Sequence, residues 1–115
     1  MPGHKFERIT EDVKRELTAI FRELKDPRVT QSMISIVKVD VSRDLSFCKV
    51  YVSAMGGIEI AKEAVLGLKS ASGFIRRELG ERLKLRNTPA PIFFATDSIE
   101  YGADLFKKLE RLKDS

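Results

Sequence analysis

The sequence predicts an α+β domain: a three-stranded sheet with helices packed on one face, in the order α-β-β-α-α-β-α. Three observations predict it. Apolar residues recur at helical spacing near the N-terminus; two alternating runs are joined by a four-residue polar link; and two more helical stripes lead into a short apolar run beside prolines. At 115 residues the chain is one domain long, 1–115. It can bury about two-thirds of its unfolded surface in a single core.

Phe6, Ile9, Val13, Leu17, Ile20, Phe21 and Leu24 recur at steps of three and four, which puts them on one helical face. Asp26-Pro27 is read as the stop of that helix, since proline has no amide to donate. Residues 34–41 and 46–54 alternate as strands, with a bulge or a two-sided start at Ile36-Val37, where strict alternation breaks. Ser42-Arg43-Asp44-Leu45 links them as an antiparallel hairpin. Cys48, Val50, Val52 and Ala54 share one side of the second strand; Phe47, Lys49, Tyr51 and Ser53 share the other. After Gly56-Gly57, the set Ile60, Ala61, Ala64, Val65 and Leu68 is one helical stripe, and Phe74, Ile75, Leu79 and Leu83 is the next. Gly73 between them is read as a kink, because glycine is unfavourable inside a helix. Ile92–Ala95 is the third strand, with Pro91 at its start. Asp97 and Glu100 have capping-box spacing ahead of a short amphipathic helix over 98–113, which carries Leu105, Phe106, Leu109 and Leu112.

Whole classes of function are disfavoured. No apolar run approaches the ~20 residues of a membrane span, and the charged start (His4, Lys5, Glu7) lacks the apolar core of a signal peptide. A single cysteine and a single histidine make neither a disulfide nor a zinc site, and a lone thiol suits the cytoplasm. Cys48 is read as core packing, and His4 as part of a loose terminus. There is no phosphate-binding glycine loop with a following lysine, and no nucleophile-base pair. The expectation is a protein without catalytic residues, metal, cofactor or small-molecule substrate.

Charge points elsewhere. The formal net charge is +4, and residues 68–88 alone, with six basic and two acidic side chains, account for all of it. Arg76 and Arg77 are read in the first turn of the helix that opens near Phe74. A cation is unfavourable at that positive dipole end unless an anion neutralises it. Arg76, Arg77, Gly80 and Lys84 fall on one face, with Lys69 and Arg86 extending it. Two readings stand: a patch holding nucleic-acid phosphates, or arginines paired with Glu78, Glu81 or other acids. Tyr51 and Phe47 on the polar side of the hairpin suit base stacking or a covering helix equally.

The chain resembles the ribosome-binding factor A family. The residues that carry the resemblance are Lys25-Asp26-Pro27-Arg28-Val29, Ile34-Ser35-Ile36, Val41-Ser42-Arg43-Asp44-Leu45-Ser46 and Lys49-Val50-Tyr51-Val52-Ser53. To these are added Gly73-Phe74-Ile75-Arg76-Arg77-Glu78-Leu79, Leu83-Lys84-Leu85-Arg86, Pro89, Pro91, Phe93 and Asp97-Ser98-Ile99-Glu100-Tyr101-Gly102. The resemblance implies a type II KH-like domain in which Ala71, Ser72 and Gly73 form an Ala-x-Gly kink in place of the GxxG clamp. It further implies a non-catalytic cytoplasmic factor that binds 16S rRNA in free or immature 30S subunits. Such a factor assists late maturation of the 5′ region of that rRNA, supports growth in the cold and is released by a ribosome-linked GTPase. Lys69, Ala71, Ser72, Gly73, Arg76, Arg77, Lys84 and Arg86 are the expected RNA contacts. The competing expectations are a protein-interaction module using the sheet face or the C-terminal helix, and a generic basic RNA binder.

Overall fold

In a computed structural model, which describes residues 2–97 with side chains from Glu7 onward, the first helix, α1, spans Pro2–Glu23. Val13, Leu17, Ile20 and Phe21 are buried along the stripe read from the sequence, and Ile9 is half-buried. The helix starts earlier than that stripe, so the backbone of His4, read as loose terminus, is helical. Proline is well placed at a first helical position, where its missing amide would have had no partner.

A second difference follows. Asp26-Pro27 does not merely stop α1; it opens a one-turn helix, α2, Pro27–Thr30. The Asp26 carboxylate accepts the Arg28 backbone amide at 2.9 Å and the Arg28 guanidinium at 3.1 and 2.7 Å. Aspartate before a proline at the first helical position is a start signal as well as a stop. The turn buries Val29.

β1 (Ile34–Val41) and β2 (Phe47–Ala54) pair antiparallel, and the register slips between Ile36 and Lys38, so of the two alternatives at Ile36-Val37 the bulge is the one observed. The connecting turn closes around Asp44, which accepts the Ser42 hydroxyl at 2.8 Å and the Ser46 amide and hydroxyl at 3.0 and 2.7 Å. α3 (Ile58–Ser70) and α4 (Ser72–Leu83) then cross over the sheet and deliver β3 (Ala90–Ala95) parallel to β2, giving the order β1-β2-β3. A parallel neighbour requires such a crossover. β3 starts two residues before Ile92; Pro91 is tolerated because β3 is an edge strand.

One core joins α1, α3 and α4 to a single face of the sheet. Leu17, Ile20, Leu68, Ile75 and Leu79 meet Val50, Val52, Cys48 and Phe93 there. Each of the large aliphatic side chains contributes about 1.5–3 kcal/mol by leaving water. Two residues assigned to the apolar stripes are exposed instead, Ile60 at 42% and Phe74 at 38%. Each sits one position before the first buried residue of its stripe, about 100° round the helix, which carries it off the core face. The final helix expected over 98–113 lies outside the described residues, as does the side chain of Phe6.

Candidate nucleic-acid interface

Ala71, with φ −98° and ψ 9°, is both the C-terminal cap of α3 and the N-terminal cap of α4. The bend between the helices is therefore at Ala71, and Gly73 lies inside α4 with ordinary helical geometry. What Gly73 supplies is room: a Cβ built there meets nothing within 4 Å. Because α4 begins at Ser72, Arg76 and Arg77 occupy its second turn, not its first. Their distance from the helix start weakens the argument that the dipole alone demands an anion beside them.

α4 ends at Lys84, which takes the left-handed conformation (φ 52°, ψ 39°) while its amide donates to the Gly80 carbonyl at 2.9 Å. That reversal sends the chain back over α4. A Cβ on Gly80 would lie 2.5 Å from Thr88 Oγ1, so only glycine lets the returning segment pack so closely. Arg76 ties it down: its Nε and one terminal nitrogen donate to the Thr88 carbonyl at 3.2 and 3.1 Å. The face shared by Arg76 and Gly80 is thus partly covered by the chain itself. The same segment reaches the hairpin turn, with the Ala90 amide donating to the Ser46 carbonyl at 3.0 Å.

These contacts enclose an open depression of about 850 Å³. Gly73, Arg76, Arg77, Gly80 and Glu81 line it from α4; Arg86, Asn87 and Thr88 from the returning segment; and Asp44, Leu45 and Ser46 from the turn. Of the expected contacts, Gly73, Arg76, Arg77 and Arg86 are brought together here. Lys69, Ala71, Ser72 and Lys84 are not on its lining. Lys69 is exposed in the last turn of α3, Lys84 is exposed at the end of α4, and Ala71 packs against the core.

Glu78 does not pair with Arg76 or Arg77. It lies 3.5 Å from Arg82, which also binds Glu23 at 2.6 Å and so links α4 to α1. Arg77 and Arg86 make no ion pair or hydrogen bond among the described residues. Asp44 is held below the ordinary carboxylate value of 3.8, first by the Ser46 hydroxyl, then by the Ser46 amide and the Ser42 hydroxyl. It stays ionised at neutral pH. Three arginines therefore face two carboxylates, Asp44 and Glu81, an excess of one positive charge, and Arg77 and Arg86 are the cations without a bonded partner among the described residues. Among the described residues no group of side chains could hold a metal, and no helix is long and apolar enough to cross a membrane.

Asp44, Ser46, Asn87 and Thr88 were missed as lining residues. Only the parallel pairing of β3 with β2 brings the hairpin turn and the segment after α4 together, and no local pattern records it.

The fold and the depression define a class: a small α+β domain presenting a concave, arginine-bearing surface with open backbone at its centre. The sequence comparisons identify the family within it. A profile of the ribosome-binding factor A family matches residues 5–109, and the chain belongs to that family. The ribosome-binding factor A of Clostridium tetani is 46% identical over 116 aligned positions, covering all of this chain and 95% of its own. The crystal structure of ribosome-binding factor A from Thermus thermophilus superposes with a TM-score of 0.68 at 27% identity, over 77% of this chain and 92% of that one. A homology model of the Thermus thermophilus factor, fitted into a cryo-electron-microscopy map of its complex with 30S, gives a TM-score of 0.63 at 27% identity, over 76% and 90% of the two chains.

Proposed function

We propose that this chain is a non-catalytic assembly factor that binds 16S rRNA in the free or immature 30S subunit. In this reading it is a cytoplasmic type II KH-like domain in which the Ala71-Ser72-Gly73 bend replaces the GxxG clamp. Phosphates lie against the open backbone at Gly73, with Arg77 and Arg86 as their main partners. Arg76 holds the wall of the depression while adding its charge, and Lys69, Ala71, Ser72 and Lys84 flank the path of the strand. The observation that carries the reading is the pair of arginines, Arg77 and Arg86, that have no partner among the described residues and stand beside the open helix surface at Gly73. The relative fitted into a 30S complex supports the choice of subunit. Binding stabilises one rRNA conformation and cleaves no bond. It serves late maturation of the 5′ region and growth in the cold, and ends when a ribosome-linked GTPase displaces the factor.

The test is co-sedimentation with free small subunits, complete ribosomes and naked rRNA at several salt concentrations. Preferential, salt-sensitive binding to free small subunits is the expected result. Equal binding to all three leaves only a generic basic RNA binder, and binding that resists both salt and ribonuclease points to a protein partner.

A further inference from the structure

The arginine-bearing depression also carries a group that a phosphate site does not need. Phosphate contacts position a nucleic acid without reading it, and cations and amides suffice for them. Yet the Asp44 carboxylate stands on the same lining as Arg76, Arg77 and Arg86. It enters from the hairpin turn, whereas Arg77 comes from α4 and Arg86 from the returning segment, so anion and cations belong to different walls. Such a depression sorts the parts of a nucleotide. The phosphate is drawn to the arginines and repelled from Asp44, which leaves the base to meet the carboxylate.

The two oxygens of Asp44 are not equivalent. Oδ1 accepts the Ser42 hydroxyl at 2.8 Å, the Ser46 amide at 3.0 Å and the Ser46 hydroxyl at 2.7 Å, while Oδ2 accepts nothing from another described residue. Those three bonds close the turn, and the single oxygen of an asparagine would accept all of them. The second oxygen is therefore surplus to the turn: a charged acceptor held in place with its capacity open. Glu81, the other carboxylate of the depression, has no bond among the described residues to fix it. An acceptor selects a donor. With Oδ1 filled, the two-oxygen grip on the adjacent donors of guanine is not available. Cytosine and adenine each offer an amino group beside a ring nitrogen that accepts, and Asn87 on the same lining has an amide to donate to it. Uracil has a carbonyl oxygen where cytosine has the amino group. In duplex RNA the amino groups are engaged in pairing and lie in a groove side chains do not enter. We propose that Asp44 Oδ2 reads the amino group of an unpaired cytosine or adenine whose phosphate rests on Arg77 and Arg86. The inference rests on the RNA-binding reading above and adds base selectivity to it.

Fluorescence anisotropy with short single-stranded oligomers of cytidine and of uridine, at neutral pH and one salt concentration, tests this on the full chain. Oligocytidine should bind about tenfold more tightly, the effect of one hydrogen bond to a charged acceptor. Replacing each cytosine by 2-pyrimidinone keeps the ring nitrogen and removes only the amino group, so that preference should vanish with the protein untouched. Asp44→Asn keeps the Oδ1 bonds of the turn and makes the second acceptor a donor, so the order should reverse in favour of oligouridine. Unshifted amide peaks of Ser42, Ser46 and Ala90 in a ¹⁵N spectrum show that this variant keeps the turn, and the 2-pyrimidinone oligomer decides the matter without it. Equal binding of the two oligomers, or tighter binding of oligouridine, by the unmodified protein overturns the proposal. So does a preference that survives removal of the amino group. If neither oligomer binds while the protein still sediments with naked rRNA, base selectivity falls and the RNA-binding reading stands; if sedimentation is lost as well, that reading falls and this one with it.

Discussion

Reversing Arg77 to glutamate removes a charge that contacts nothing else among the described residues. The thermal midpoint should hold, because exposed substitutions of this kind stay within about 0.5 kcal/mol, while binding to small subunits should fall sharply in the sedimentation assay. Arg76→Ala should behave differently: losing the two hydrogen bonds to the Thr88 carbonyl costs about 1 kcal/mol, visible as a lower midpoint in calorimetry. The sequence presents the two arginines as equals; only the return of the chain over Gly80 separates them. Acid sensitivity is also set residue by residue. Asp26, through the Arg28 side chain and then its amide, and Asp44, through Ser46 and Ser42, titrate below the ordinary 3.8. A depressed carboxylate contributes fully above its ordinary value and loses that contribution as pH falls through its folded value. The midpoint should therefore be flat from neutral pH down to the ordinary carboxylate range and fall below it, and Asp44→Asn should shrink that fall. Burial pushes the Cys48 thiol up to about 11, so a thiol reagent at neutral pH should modify it only after unfolding.

The two glycines of α4 give opposite expectations. Gly73→Ala places a methyl in open space and improves the helix by about 0.5–1 kcal/mol, so the midpoint should rise. The same methyl obstructs the backbone at the centre of the depression, so affinity for the small subunit should drop. A variant that gains stability and keeps its affinity would place the RNA elsewhere. Gly80→Ala meets Thr88 Oγ1 at 2.5 Å. Overpacking of about 1–3 kcal/mol outweighs the helix gain, and calorimetry should record a lower midpoint with the Arg76 bonds disturbed. From sequence Gly73 is a kink and an expected RNA contact and Gly80 a member of the basic face, and nothing local records that Thr88 packs on the second. The elements with clear periods, α1, β1, β2 and the inner stripes of α3 and α4, are legible because the core selects apolar residues at fixed steps. α2 escapes because one turn has no period, and its aspartate and proline also spell the end of the preceding helix.

At the scale of the whole molecule, the basic excess of residues 68–88 survives folding as a surface, but a smaller one than the count of charges implies. Arg82 is consumed by Glu23 and Glu78, and Asp44 enters from the hairpin. On the proposed reading about three to five phosphate contacts are expected, for which the logarithm of the association constant should fall with the logarithm of salt at a slope of about −3 to −4. A flat response in the sedimentation series would remove the electrostatic basis of the reading. The concentration of charge was legible in the sequence. Its reduction was not, because the partners sit 59 residues away in one case and across a crossover in the other.

The parallel pairing of β2 with β3 has a consequence for the chain as it is being made. The hairpin of β1 and β2 is complete once Ala54 has been synthesised, yet one edge of β2 stays unpaired until Ala90–Ala95 arrive. Through all of α3 and α4 the nascent protein carries an open strand edge bearing Val50 and Val52, a template for pairing with any other extended segment. Synthesis slowed between Met55 and Pro89 prolongs that interval, so codon-by-codon pausing there should increase aggregation without any change in the finished protein.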